Sequence, residues 1–174
     1  MPLLVRNSRD EDVPAIQAIY AHHVLHGTGT FELDPPSLDE MIRRRADVLG
    51  NRFPYLVAER DGEVIGYAYA NFFRARPAYR FTVEDSIYIA PKAIGQGVGR
   101  RLLQALLADC EARGCRQVLA VIGDSKNTGS IALHAACGFK MAGILRATGW
   151  KFERWLDVVM MQYEAGEGER SAPV

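Results

Sequence analysis

The residues best suited to chemistry lie between Glu84 and Arg101. A β-type run from Phe81 to Ile89 alternates Phe81, Val83, Asp85, Ile87 and Ile89 against Thr82, Glu84, Ser86 and Tyr88. Barring a bulge, Glu84, Ser86 and Tyr88 therefore share one face of a strand. The run feeds Ala90-Pro91-Lys92-Ala93-Ile94-Gly95-Gln96-Gly97-Val98-Gly99-Arg100-Arg101, a glycine-rich turn that opens an amphipathic helix. Glycines at 95, 97 and 99 permit close backbone approach, and the start of a helix presents unpaired N–H donors. The combination is an anion site suited to a pyrophosphate, with Arg100 and Arg101 adding positive charge at its edge. A Walker loop would need Gly-Lys-Ser/Thr, which is absent, and a dinucleotide loop would follow the first strand of a βαβ unit, not the fourth strand. Taken alone, Gly-x-Gly-x-Gly is equally a plain turn and helix start.

Several other side chains carry chemical potential. Arg74 and Arg76, with Tyr79, form a cluster whose planar guanidinium forks suit bidentate contacts to oxyanions, although arginines are common on solvated surfaces. His134 is either a titratable imidazole that relays a proton or a helix residue hydrogen-bonded for structure. His22 and His26 stand four apart, but no third ligand at sensible spacing follows and no Glu-x-x-His pattern accompanies them, so no metal is expected. Cys110, Cys115 and Cys137 are odd in number and lack CxxC spacing, which argues for free thiols in a reducing compartment.

The elements that must position these groups follow from periodicity and punctuation. Leu3 to Arg6 reads as a strand. The acids Asp10, Glu11 and Asp12 then precede Val13, Ile16, Ile19 and Tyr20 at helical spacing. A second helix spans about Leu38 to Leu49, capped by Ser37 and stopped by Gly50. Tyr55 to Glu59 and Val64 to Ala70 form a hairpin around Asp61-Gly62. The stripe Leu102, Leu103, Leu106, Leu107, Cys110 marks the helix after the glycine loop, ended by Gly114. Val118 to Ile122 is a buried strand, Asn127 to Cys137 a helix, and strands near Lys140 to Leu145 and Trp155 to Tyr163 follow, with Trp150 and Trp155 packing the last hairpin or a subunit contact. The order β-α-α-β-β-β-α-β-α-β-β predicts an α/β domain with a mixed sheet flanked by helices, spanning residues 1–163, and a polar tail over 164–174 that frays.

Composition bounds the function. With 21 Lys and Arg against 21 Asp and Glu, the chain has no net charge to attract a nucleic acid. No apolar run reaches the length of a membrane span, and the start lacks a signal-peptide pattern, so a cytoplasmic protein is expected.

A strand, a Gln/Arg-x-x-Gly-x-Gly/Ala loop and a helix resemble the acyl-CoA signature of the GNAT N-acetyltransferases. The matching stretch is Ile94-Gly95-Gln96-Gly97-Val98-Gly99; Ile94 departs from the leading Gln or Arg, which removes one side-chain contact and leaves the backbone contacts. Asn127-Thr128-Gly129-Ser130, His134 and Gly138-Phe139 resemble the family's Asn-x-x-Ser…Tyr…Gly-Phe segment, with His134 where a thiolate-protonating tyrosine is expected. Arg74-Ala75-Arg76-Pro77-Ala78-Tyr79 through Glu84-Asp85-Ser86, together with Tyr55 to Glu59, Val121-Ile122-Gly123, Gly149-Trp150-Lys151 and Trp155 to Val158, resemble the phosphinothricin and methionine sulfoximine acetyltransferases. Asp124-Ser125-Lys126 is a residue longer than usual before Asn127.

The resemblance implies a GNAT fold with a mostly antiparallel sheet, acetyl-CoA as co-substrate and a homodimer. It implies direct acetyl transfer to the α-amine of a small amino-acid analogue. A free amine is largely protonated near neutral pH, so a base is needed; Glu84, five residues ahead of Ile89, is expected to serve, directly or through water. Substrate contacts are expected from Phe31, Arg74, Ala75, Arg76, Tyr79, Glu84, Asp85 and Ser86, with Phe31 alternatively a core aromatic. Cofactor contacts are expected from Ile87, Tyr88, Ile89, Gly95, Gln96, Gly97, Val98, Gly99, Arg100 and Asn127. A backbone N–H between Ile87 and Ile89 would polarise the thioester if a bulge frees it; the resemblance implies that this strand splays from its neighbour and pairs with the cofactor's pantetheine instead. The competing readings are a relative acting on another amino acid or a polyamine, and a non-catalytic acetyl-CoA sensor.

Overall fold

The computed structural model describes residues 2–173. Leu4–Asn7 (β1) leads to Val13–His26 (α1) and Leu38–Gly50 (α2), then to the hairpin Tyr55–Arg60 (β2) and Glu63–Phe72 (β3). Thr82–Ile89 (β4), Val98–Ala112 (α3), Gln117–Gly123 (β5) and Thr128–Ala136 (α4) follow, and Lys140–Lys151 (β6) with Arg154–Glu164 (β7) close the chain. The order of elements is the one expected. The acids Asp10 to Asp12 form a separate 3-10 turn instead of the first turn of α1. Asp12 explains the break: its carboxylate takes both terminal nitrogens of Arg6 at 2.7 and 2.9 Å and the Arg9 backbone N–H at 2.7 Å. Ser37 caps α2 by accepting the Glu40 N–H at 3.2 Å.

One seven-stranded sheet runs β1-β2-β3-β4-β5-β7-β6. Only β4 and β5 are parallel. The helix α3, which must cross between them, buries Leu102, Leu103, Leu106, Leu107 and Cys110 against the sheet. On one face, Tyr20 and His23 of α1 meet Tyr88, and α2 packs over Tyr55 and Tyr67. The other face carries α3 and α4, where Gly99 lies against Ile89 and Leu133. Glu84, Ser86 and Tyr88 therefore look toward α1, while Asp85, Ile87 and Ile89 look toward α3 and α4.

The largest difference from expectation is β6. It continues past Leu145 to Lys151, with register shifts between Met141 and Gly143 and between Leu145 and Gly149. Those irregularities, with Ala147 at φ 50, break the alternation that periodicity relies on. Trp150 and Trp155 pair across the hairpin with ring centroids 5.2 Å apart. Beyond β7, Ala165 is buried and the Arg116 guanidinium donates to the carbonyls of Gly168 and Ala172 at 3.3 and 3.1 Å.

Candidate active site

The site begins where two strands part. The parallel pairing of β4 with β5 runs from Thr82↔Gln117 to Asp85↔Ala120 and stops, although β4 continues to Ile89 and β5 to Gly123. The β3–β4 ladder stays regular from Phe72↔Val83 to Gly66↔Ile89, so no bulge interrupts it. Freed backbone thus comes from the splaying of the two strands, with no bulge in the β3–β4 ladder. Ala90 donates to Ile65 at 2.9 Å. Alternation along an antiparallel ladder then turns the N–H and C=O groups of Ile87 and Ile89 toward the side that β5 has left. An extended chain bearing amides can enter that gap as a substitute strand.

A cavity of about 950 Å³ passes through the gap, lined on the α1 side by Phe31, Tyr69, Glu84, Ser86 and Tyr88 and on the far side by Asn127, Ser130 and the glycine loop. Glu84 is half-buried, and burial first, then the charge of Asp85, pushes its carboxyl up to about 6. Such a group is ionised near neutral pH yet basic enough to hold a proton.

Phe31 owes its place to two glycines. A Cβ at Gly149 would stand 2.3 Å from its ring, and one at Gly123 would stand 2.8 Å from it and 2.1 Å from the Thr28 carbonyl. The buried Lys151 Nζ donates to the Thr30 carbonyl at 2.9 Å, and the Tyr20 and Thr30 hydroxyls bond at 2.8 Å, which pins the same loop from below. Gly149→Ala is expected to drive Phe31 from its seat and to destabilise the fold by about 1–3 kcal/mol, read as a lower urea midpoint at unchanged slope.

Of the glycine loop, Gly95 and Gly97 both adopt φ 78, and Gly97 immediately precedes α3. Only glycine holds that backbone without strain, and it turns successive N–H groups inward to receive an anion. Gly95, Gly97, Val98, Gly99 and Arg100 line the cavity. Gln96 does not: its amide accepts from Arg60 at 2.5 Å and donates to the Lys92 carbonyl at 2.6 Å. Asn127 lines the cavity and caps α4 by accepting the Ser130 N–H at 3.3 Å.

His134 is 2% exposed, with Nε2 3.0 Å from Asp85 Oδ2 and Nδ1 2.7 Å from the Ser130 carbonyl. Two acceptors at the two ring nitrogens call for the imidazolium. Burial alone would push its pKa down, but the hydrogen bond and charge of Asp85 and the Ser130 carbonyl hold it above the ordinary value. Both ring nitrogens are thus engaged, at a point where His134 lines the cavity wall. Asp85, which also lines the cavity, faces α4 across the sheet from Glu84 and pairs there with the imidazole.

Arg74, Ala75, Arg76 and Tyr79 are not brought into the cavity. They stand exposed on the loop between β3 and β4, with the Arg74 guanidinium 5.0 Å from the Phe73 ring centroid. Conversely, His23, Tyr69 and Lys126 line the cavity without having been expected. Tyr69 was legible in principle, since it pairs with Ser86 across the ladder; His23 was not, because its contact depends on how α1 docks.

The model of the acetyltransferase (GNAT) family matches residues 16–139. The chain is 59% identical to the phosphinothricin N-acetyltransferase of Alcaligenes faecalis, over 97% of this chain and 86% of that one. It is 36% identical to the L-methionine sulfoximine/L-methionine sulfone acetyltransferase of Salmonella typhimurium, over 95% and 96% of the two chains. The crystal structure of a GNAT superfamily phosphinothricin acetyltransferase from Sinorhizobium meliloti in complex with AcCoA superposes with a TM-score of 0.97 at 47% identity, covering 100% of this chain and 94% of that one. A strand pair that opens beside a half-buried carboxylate, a left-handed glycine loop leading into a helix, and these relatives agree: the chain belongs to the GNAT acetyltransferase family.

Proposed function

We propose that this enzyme acetylates the α-amine of small amino-acid analogues, phosphinothricin and methionine sulfoximine among them, with acetyl-CoA as donor. The observation that carries the reading is the opening of β4 from β5 beside Glu84. The backbone of Ile87 and Ile89 receives the pantetheine arm as a strand would, and the turn from Gly95 to Gly99 receives the pyrophosphate. The acceptor lies on the opposite face, between Phe31, Tyr69 and Glu84.

Glu84 takes the proton that the acceptor ammonium must lose. The amine nitrogen then forms its bond to the acetyl carbon and gives up its second proton to solvent as the carbon–sulfur bond breaks, the N–H groups at the open end of β4 face the carbonyl oxygen, and the departing thiolate takes one proton from solvent. Transfer is direct, because Cys110 and Cys115 are buried in the core away from the cavity wall and Cys137 is not among its lining residues.

A second copy of the chain covers the β6–β7 hairpin, where Met141, Leu145, Trp150 and Trp155 are each more than half exposed on an edge of the sheet. Three unpaired thiols suit the reducing cytoplasm. Among the described residues, no helix is long and apolar enough to cross a membrane.

A thiol-release screen of amine acceptors with acetyl-CoA tests the reading. Phosphinothricin or methionine sulfoximine is expected to drive CoA release with intersecting initial-velocity lines, as a ternary complex requires. Tight acetyl-CoA binding without release in the presence of any acceptor would instead identify a sensor.

A further inference from the structure

His23 is used by none of the steps above, yet it lines the cavity and its Nε2 lies 2.8 Å from the Ile89 carbonyl oxygen. That carbonyl is one of the groups turned toward the space left by β5, where no neighbouring strand offers it an N–H. A carbonyl so placed needs a donor. The ring is half-buried, with its centroid 5.4 Å from that of Tyr88, and burial keeps the imidazole neutral, so Nε2 carries the proton and Nδ1 is bare.

We propose that His23 is a positioning residue, which stands in for the absent strand at the open end of the cleft. Its Nε2–H holds the Ile89 carbonyl, while the Ala90 N–H of the same peptide group is held by Ile65 at 2.9 Å. Clamped from both sides, that peptide fixes the direction of β4 as it leaves β5. The Ile87 N–H and C=O and the Ile89 N–H then remain for the donor's pantetheine arm. The inference rests on the acetyl-CoA reading of this cleft.

Two variants separate clamping from packing. His23→Gln keeps an N–H where Nε2 stands, whereas His23→Phe keeps a ring against Tyr88 and removes the donor. Calorimetric titration of the full chain with acetyl-CoA is expected to show Kd raised about tenfold in His23→Phe, the worth of one hydrogen bond, and within about threefold of the parent in His23→Gln. Hydrogen exchange without ligand should show the Ala90 amide exchanging about tenfold faster in His23→Phe only. Parent-like affinity and exchange in His23→Phe, or equal losses in both variants, would overturn the clamp. Should the parent itself fail to bind acetyl-CoA, the functional reading falls, and the exchange comparison alone decides for or against His23.

Discussion

Glu84→Gln is expected to lower kcat by about 10²–10⁴-fold, the usual contribution of a positioned general base, with little change in the KM for acetyl-CoA. The two residues are nearly isosteric, so the half-buried position stays filled. In the parent, kcat/KM should rise with pH through about 6, where Glu84 loses its proton, and then level until other groups titrate. The variant should lack that limb. Its stability should move the other way. Because burial raises the Glu84 pKa, the folded chain holds this proton more tightly than the unfolded chain. Glu84 therefore favours folding at low pH, and that contribution is lost as pH rises from the ordinary glutamate range through about 6. A glutamine, neutral throughout, is free of the loss, so at neutral pH the variant should be at least as stable as the parent while far less active. A variant that keeps full activity would remove Glu84 from the mechanism.

His134→Leu is expected to destabilise the fold by about 3–5 kcal/mol, because it strands the buried Asp85 carboxylate. For a chain of this length the melting temperature should fall by roughly 6–20 °C. Asp85 Oδ1 already takes no hydrogen bond from the described residues, so the loss at Oδ2 leaves nothing to compensate the charge. Since pairing raises the His134 pKa, the parent's advantage should be full below the ordinary histidine value and fade as pH rises through the raised one. The double variant His134→Leu/Asp85→Leu removes both charges and should recover most of the stability. It also separates the two roles open to this histidine. If the pair only ties α4 to the last residue of β4 that still pairs with β5, kcat in the double variant stays within about tenfold of the parent. If the imidazolium is the acid for the thiolate, kcat falls by 10² or more despite the restored melting temperature.

Much of this architecture is legible in the amino-acid sequence because each element carries its own signal. The helix α3 announces itself through Leu102, Leu103, Leu106 and Leu107, and the β2–β3 hairpin through Asp61 and Gly62, both at positive φ as that turn requires. The glycine loop is equally local. Alternation places Glu84 and Asp85 on opposite faces, although a motif that spans both invites grouping them as substrate contacts. What is not legible depends on three-dimensional docking. No periodicity tells that Gln96 turns away to Arg60, that Arg74 and Arg76 stay outside the cavity, or that His23 reaches the Ile89 carbonyl. The parting of β4 and β5 is likewise silent, since both strands keep ordinary β composition to their ends. The length of β6 is hidden for the opposite reason: its bulges scramble a pattern that would otherwise show.

The account turns on direct transfer from acetyl-CoA to an amine across the opened strands. Mass spectrometry of a single turnover reads this most directly. Enzyme mixed with acetyl-CoA alone and then stripped of small molecules should keep its unmodified mass. With L-phosphinothricin or L-methionine sulfoximine added, N-acetylated product and free CoA should appear in equal amounts. An acetylated chain that passes its acetyl group to the acceptor after acetyl-CoA has been removed, or no N-acetylated product with any amine tried, would contradict the account.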